Sequence, residues 1–548
     1  MDAEQPGRSE THAVANQPPP LVDYNLFTAN LALRAAVARE GAPWADAQLI
    51  ARGAELGSAA WFERGELANR YPPELRRYDR FGQRRDAFDF HPAWHECLAY
   101  LKRHGVAAGP WAQPGPGSHV ARAALFQLFA EVECGSLCPT TMTYGAVPAV
   151  ARQPELARDW LPLLVSAEYD RRFLPASEKR GATMGMAMTE KQGGSDVRAN
   201  TTRAHAEGGG WYRLVGHKWF FSAPMGDAFL VTAQAPGGLS CFFLPRFVDS
   251  GRVNDIRIER AKDKMGDRSN ASAEVEFRGA LARLVGEEGR GLPTILEMGS
   301  YTRLDCANGS TGLMRQALSQ ALHHARHRRA FGRPLAEQPL MRNVLADMAL
   351  EVEAATALAL RLARAFDRQD DQAEAALRRL LTPAAKFWIC KRAPPLGAEA
   401  MEVVGGNAYV EEGPMPRLYR QMPLNSIWEG AGNIMCLDVL RALARQPDAA
   451  AALLGELEPA GGAAPAFDRG LALLKDELAG GAVDPAQARR LAERIACLVQ
   501  AALLLRFAPT AVAEVFCRSR LGGDWGGSFG TLPAGCDLAA ILERAWPL

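Results

Sequence analysis

The sequence predicts a mainly helical α+β protein in which one β domain interrupts two helical regions. Two observations carry this. Apolar residues recur at helical spacing on both sides of the chain's middle, and between Met184 and Leu284 the pattern changes to short segments with period-two alternation. At 548 residues the chain is too long for a single core, so several packed units are expected.

The first division, 1–20, is polar, ends in Gln17-Pro18-Pro19-Pro20 and is expected to be a disordered tail. From 21 to 180 the pattern is helical, broken by the loop at Ala107 to Ser118 with its Gly109-Pro110 and Pro114-Gly115-Pro116-Gly117 punctuation. The β domain spans 181–290. Ile256-Arg257-Ile258-Glu259 and Ala273-Glu274-Val275-Glu276-Phe277 alternate cleanly, and glycine-rich turns separate the runs, as in a small barrel or sandwich. A helical bundle is expected over 291–445. Met341, Val344, Leu345, Met348, Val352, Ala355, Ala359 and Leu362 form one face of a long helix, and Pro383 to Val404 reads as another. Residues 446–548, rich in Ala and Leu, read as an extra helical domain.

Composition excludes some functions. With 63 basic and 62 acidic residues, the net charge of +1 gives no global attraction to nucleic acid or anionic lipid. No apolar signal region and no run of roughly 18 apolar residues is present, so a cytoplasmic protein without a membrane partner is expected. The ten cysteines contain no CxxC. Cys134 and Cys138, one helical turn apart, read as packed thiols, and no metal site is expected.

Five segments carry possible chemistry. In Met188-Thr189-Glu190-Lys191-Gln192-Gly193-Gly194-Ser195-Asp196, bare glycine backbone lets a flat ligand approach hydroxyl donors, although a capped tight turn explains it too. Gly216-His217-Lys218-Trp219-Phe220-Phe221-Ser222 puts aromatic rings on both faces of a strand, for a planar cofactor or for the core. Arg328-Arg329-Ala330-Phe331-Gly332-Arg333-Pro334, followed by Gln338, suits phosphate or a basic helix end. The fourth is Val403-Val404-Gly405-Gly406-Asn407-Ala408-Tyr409. The fifth, Ile427-Trp428-Glu429-Gly430-Ala431-Gly432-Asn433-Ile434, holds a carboxylate that is either a dry base or a helix cap.

Jointly, in this order and on this layout, the segments resemble the flavin-dependent acyl-CoA dehydrogenases over roughly Leu21 to Arg445. Lys191 to Gly194 stands where the family usually has Pro-Gly-Ala-Gly. That wording, with Asp263-Lys264, Asn270-Ala271-Ser272, Thr382-Pro383-Ala384-Ala385-Lys386-Phe387, Asn425 to Gly430 and the segment after Arg445, is similar to the AidB-type branch induced by DNA alkylation damage.

The resemblance implies an acyl-CoA dehydrogenase-like fold, FAD as cofactor, an acyl-CoA thioester as substrate and a homotetramer. Met186, Met188, Thr189, Gly194, Ser195, Phe220, Phe221 and Ser222 would hold the flavin ring, with Ile427, Trp428, Gly430 and Asn433 over it. Arg328 and Gln338 would reach the FAD of a neighbouring subunit, and Gly405 and Gly406 would touch the dinucleotide. Thr189, Ser195, Ser222 and Arg303 would meet the substrate. Glu429 matches the usual base, which takes the α-proton of the thioester while the β-hydrogen leaves to the flavin. The alternative base position of isovaleryl-type enzymes is Thr302 here. Two departures stand out: Ala431 replaces a common Thr, and Ser222-Ala223-Pro224 replaces Thr-Asn-Gly.

AidB-type proteins also bind double-stranded DNA through the C-terminal domain. Residues 451–548 hold 9 basic and 11 acidic residues, so any such surface must be a local patch. Arg441, Arg445, Arg518 and Arg520 are the foremost candidates, with Arg489, Arg490 and Arg494 behind them. The alternatives are an ordinary metabolic acyl-CoA dehydrogenase with an added domain, and a DNA-shielding module whose flavin is structural.

Overall fold

A computed structural model describes residues 12–248, 251–481 and 483–546. Helices fill the N-terminal region, a barrel the middle, and a bundle with further helices the remainder. Two early helices border the site: α1 (Ser118–Ala130) and α2 (Leu137–Ala151). The first-turn donors of α1 are satisfied from elsewhere in the chain. The Asp367 carboxylate accepts from His119 N at 2.8 Å and Val120 N at 3.1 Å. A hairpin that the sequence reading missed, β1 (Glu74–Tyr78) and β2 (Arg84–Asp89), interrupts the helices.

The middle contains β3 (Met184–Ala187), β4 (Arg203–Gly208), β5 (Trp211–Ser222), β6 (Ala228–Ala235), β7 (Gly238–Pro245), β8 (Ile256–Ala261) and β9 (Ser272–Val285). Their order is β3-β6-β4-β5-β9-β7, with β8 on β9. Because β6 also pairs with β7, the sheet closes on itself, and the barrel-or-sandwich choice resolves to a barrel. Alternation along each strand sends Leu214, Phe221, Phe229, Phe242 and Phe277 inside.

Three long helices form the bundle: α3 (Gly291–His327), α4 (Pro339–Asp367) and α5 (Gln372–Val404). A two-residue-strand hairpin, Arg329–Ala330 with Arg333–Pro334, links α3 to α4 where a basic helix end was one of the readings. α6 (Gly432–Arg445) leads into the last segment, whose longest helix is α7 (Ala488–Phe507). This segment is helical, yet it shares one continuous core with the bundle and the N-terminal helices rather than having its own. An ion network fixes it: Arg520 meets Asp347 at 2.6 Å and Glu351 at 3.2 Å on α4, with all three side chains at most 5% exposed.

Part of the expected disordered tail is placed. Asn16 exchanges hydrogen bonds with Arg329, and Pro19 O accepts from His323 at 2.8 Å, so residues 16–19 lie along the end of α3. Residues 1–11 fall outside the described residues.

Candidate active site

The barrel, α2, α3 and the segment ahead of α6 enclose a cavity of about 940 Å³. Its walls bring together Met186, Met188, Thr189, Gly194, Ser195, Phe220, Ser222, Arg303, Ile427, Trp428, Glu429 and Gly430, which lie as much as 244 positions apart in the chain.

The barrel wall follows from strand alternation. Phe220 and Ser222, two apart on β5, face the cavity, and Phe220 is 50% exposed there. Phe221 points the other way. It is buried against Phe229, ring centroids 4.4 Å apart, so its expected place at the flavin is corrected to a place in the barrel core. The loop after β3 runs along the same wall. At Gly194 a Cβ would lie 2.4 Å from Thr189 Oγ1, so bare backbone is required beside that hydroxyl. Glu190 anchors this loop. Its carboxylate accepts from Thr201 N at 2.6 Å, Thr202 N at 3.2 Å and Lys218 Nζ at 2.9 Å. Burial alone would raise the Glu190 carboxyl, but the fully buried Lys218 ammonium and the threonine donors outweigh it and hold it at about 2.

The opposite wall carries Glu429. Its Oε2 accepts from the Thr302 hydroxyl of α3 at 2.6 Å. Its backbone sits at φ +57°, a left-handed conformation that raises the energy of a non-glycine residue by roughly 1 kcal/mol or more. Three donations hold it. Lys386 Nζ on α5 reaches Trp428 O at 2.8 Å and Gly430 O at 2.5 Å, and Arg303 Nε reaches Glu429 O at 3.0 Å. Arg303 also pairs with Asp438 at 3.1 Å, and Asp438 in turn takes Arg379 at 2.7 Å. Arg303, expected at the substrate, is thus tied to the Glu429 loop while it also lines the cavity. Glu429 does not cap the helix after it: α6 begins at Gly432 with no side-chain cap.

Other expected residues lie elsewhere. Asn433 Oδ1 accepts from Arg489 Nε at 2.8 Å, and Asn433 does not line the cavity. Arg328 donates to Asn16 O at 2.6 Å, and Asn407, next to Gly405 and Gly406, donates to Gln17 Oε1 at 3.1 Å. One stretch of chain therefore links the two glycine and arginine segments, away from the cavity. Gln338 donates to Ala330 O at 3.0 Å in the same region. Of the four foremost DNA candidates, Arg441 and Arg445 are exposed at the cavity's rim. Arg518 is half-buried and pairs with Asp524 at 3.5 Å. Arg520 is buried in its ion network, which corrects its assignment as a DNA contact.

Sequence reasoning assigned no role to Lys386, although it quoted the motif. A lone cation inside the apolar run Ala384-Ala385-Lys386-Phe387 was the available signal. It also missed Arg379, Asp438, Thr141 and Asp305. Among the described residues no cluster of three or more His, Cys, Asp or Glu could hold a metal, and no helix is long and apolar enough to cross a membrane.

Comparison with known proteins matches three family models: the N-terminal domain of the adaptive response protein AidB over residues 16–171, the acyl-CoA dehydrogenase middle domain over 185–280, and its C-terminal domain over 289–444. The chain is 51% identical over 516 residues to a putative acyl-CoA dehydrogenase AidB of Escherichia coli strain K12, covering 93% of this chain and 95% of that one. The structure of Caenorhabditis elegans ACDH-11 in complex with C11-CoA aligns with a TM-score of 0.85 at 27% identity, covering 94% of this chain and 93% of that one. An acyl-CoA dehydrogenase from Bacillus anthracis complexed with FAD shares the fold, with a TM-score of 0.65 at 20% identity, over 83% and 87% of the two chains. The chain belongs to the acyl-CoA dehydrogenase family of FAD-dependent oxidoreductases, in the branch that carries the AidB N-terminal domain.

Proposed function

We propose that this protein is an FAD-containing, cytoplasmic acyl-CoA dehydrogenase-type oxidoreductase that also binds duplex DNA, as part of an adaptive response to alkylation. The observation that carries the enzymatic half is Glu429, held by Thr302 in a cavity whose other wall offers an exposed ring and hydroxyls.

The residues fit a flavin. Phe220 presents a half-exposed ring for stacking, Thr189, Ser195 and Ser222 bring hydroxyls, and Gly194 leaves room beside them. When bound, FAD supplies the two-electron acceptor for the hydrogen that leaves the β-carbon of the thioester. Glu429 takes the α-proton, and the electron pair left from the broken Cα–H bond becomes the new Cα–Cβ double bond. Lys386, Arg303 and Thr302 keep that carboxylate in place, so little reorganisation is needed as the proton moves.

Oligomer formation is supported by the exposed apolar surface around the Arg328 and Gly405 segments. Phe331, Leu340 and Tyr409 are 96%, 82% and 85% exposed, and such residues call for a cover. We assign that cover to the other subunits of a homotetramer, with Arg328 and Gln338 toward a neighbour's FAD.

The DNA half is supported by kinship with AidB and by Arg441 and Arg445 at the rim. Contacts would be to phosphates, so affinity would fall steeply with salt. The experiment that tests both halves measures anaerobic flavin bleaching by an acyl-CoA panel and duplex retardation at low ionic strength on one FAD-loaded preparation. Bleaching without retardation leaves a metabolic dehydrogenase, retardation without bleaching a DNA-shielding flavoprotein.

A further inference from the structure

The cavity's lining has an exposed part and a buried part. Ser195, Arg198, Arg441 and Arg445 stand exposed at the rim, whereas Cys138, Asp305 and Cys306 are buried. Thr302, which holds Glu429, sits on α3 one turn ahead of the buried Asp305 and Cys306. An acyl chain whose thioester faces the rim and whose α-carbon meets Glu429 therefore has the buried part within reach.

That part is not a purely apolar sleeve. Asp305 and Thr141 both line it. Asp305 receives Arg122 Nη1 and Nη2 at 2.6 and 2.7 Å, and its Oδ2 also accepts from the Thr141 hydroxyl. The Arg122 and Asp305 side chains are each 2% exposed. Arg122 lies 3.4 Å from the Tyr144 ring centroid and donates from Nε to Val106 O at 2.7 Å, so the pair is fixed in place. Having given its proton to Asp305, the Thr141 oxygen offers only lone pairs to the cavity. The i,i+3 step from Thr302 to Asp305 spans roughly 5–6 Å, within reach of a short acyl chain.

We propose that the buried part of the pocket selects a short acyl group bearing a hydroxyl near its end, which donates to Thr141. The inference rests on the acyl-thioester reading above. An alkyl end laid on Thr141 strips water from an acceptor and returns no hydrogen bond; a hydroxyl replaces that water.

The test uses the FAD-loaded full chain and four probes: butyryl-CoA, hexanoyl-CoA and their ω-hydroxy counterparts. Calorimetry should show the better hydroxylated thioester binding about tenfold more tightly than its plain partner. Thr141→Val, which keeps the shape and removes the oxygen, should bring that pair within about twofold. Equal or tighter binding of the plain thioesters to the wild type overturns the proposal without any variant. Flavin bleaching, read separately, reports the dehydrogenase reading. Bleaching without hydroxyl preference keeps that reading and removes this one, hydroxyl preference without bleaching does the reverse, and binding of none of the four overturns both.

Discussion

The Thr302 hydroxyl donates to the Glu429 carboxylate at 2.6 Å across 127 positions of sequence. The proposed base thereby has a fixed partner on α3. Glu429→Gln should lower flavin reduction by the best thioester by about two to four orders of magnitude, with FAD content unchanged. Thr302→Val should lower it by about tenfold, a share of the worth of a held base. Stopped-flow bleaching checks both, and an undiminished rate in the glutamine variant removes Glu429 from the chemistry.

Lys386 is buried and bonds the carbonyls on either side of Glu429. Lys386→Met keeps the length and removes both donations, leaving carbonyls unpaired at about 1–3 kcal/mol each. A lower Tm together with slower bleaching is expected. A variant as stable and as fast as wild type would show that the strained backbone of Glu429 holds without the clamp.

Acid should act on the Glu190–Lys218 pair. The folded carboxyl is held at about 2, below its ordinary 4.5. A depressed carboxyl stabilises the fold above its ordinary value, and that stability is lost as pH falls from 4.5 through about 2. Glu190→Gln should flatten the stability profile across this window in denaturant titrations. An equally steep profile in the variant would place the acid sensitivity elsewhere.

Arg328→Ala is expected to lose both flavin and assembly, if Arg328 holds the dinucleotide of the next subunit. The flavin-to-protein ratio and the elution volume measure the two together. Full flavin content at an unchanged size would refute the role.

Neutralising Arg441 and Arg445 together should weaken duplex binding on every sequence and reduce the log–log salt slope by about 2. Because both line the cavity rim, thioester affinity should change as well. Arg520→Ala should act differently. It leaves Asp347 and Glu351 without a buried partner and lowers stability by several kcal/mol, as removal of half a buried pair does. DNA retardation by the rim variant at wild-type strength would clear this surface of the function.

The sequence by itself determined the sequence of helical, β and helical regions, because alternation and 3.6-residue spacing are local and each period admits one way of burying its apolar face. Its motifs also identified the cavity's main residues, Thr189, Gly194, Ser195, Phe220, Ser222 and Glu429. Only the tertiary structure decided which way neighbouring side chains serve: Phe220 to the cavity and Phe221 to the barrel core, Arg441 to the rim and Arg520 into an ion network 173 positions from its partner. The same holds for Lys386 beside Glu429 and for Arg122 and Asp305, paired across 183 positions. A lone charge in an apolar run shows that a partner must exist, since burying it unpaired is too unfavourable. Which partner it finds is set by helices and strands meeting in space, and no local pattern records that.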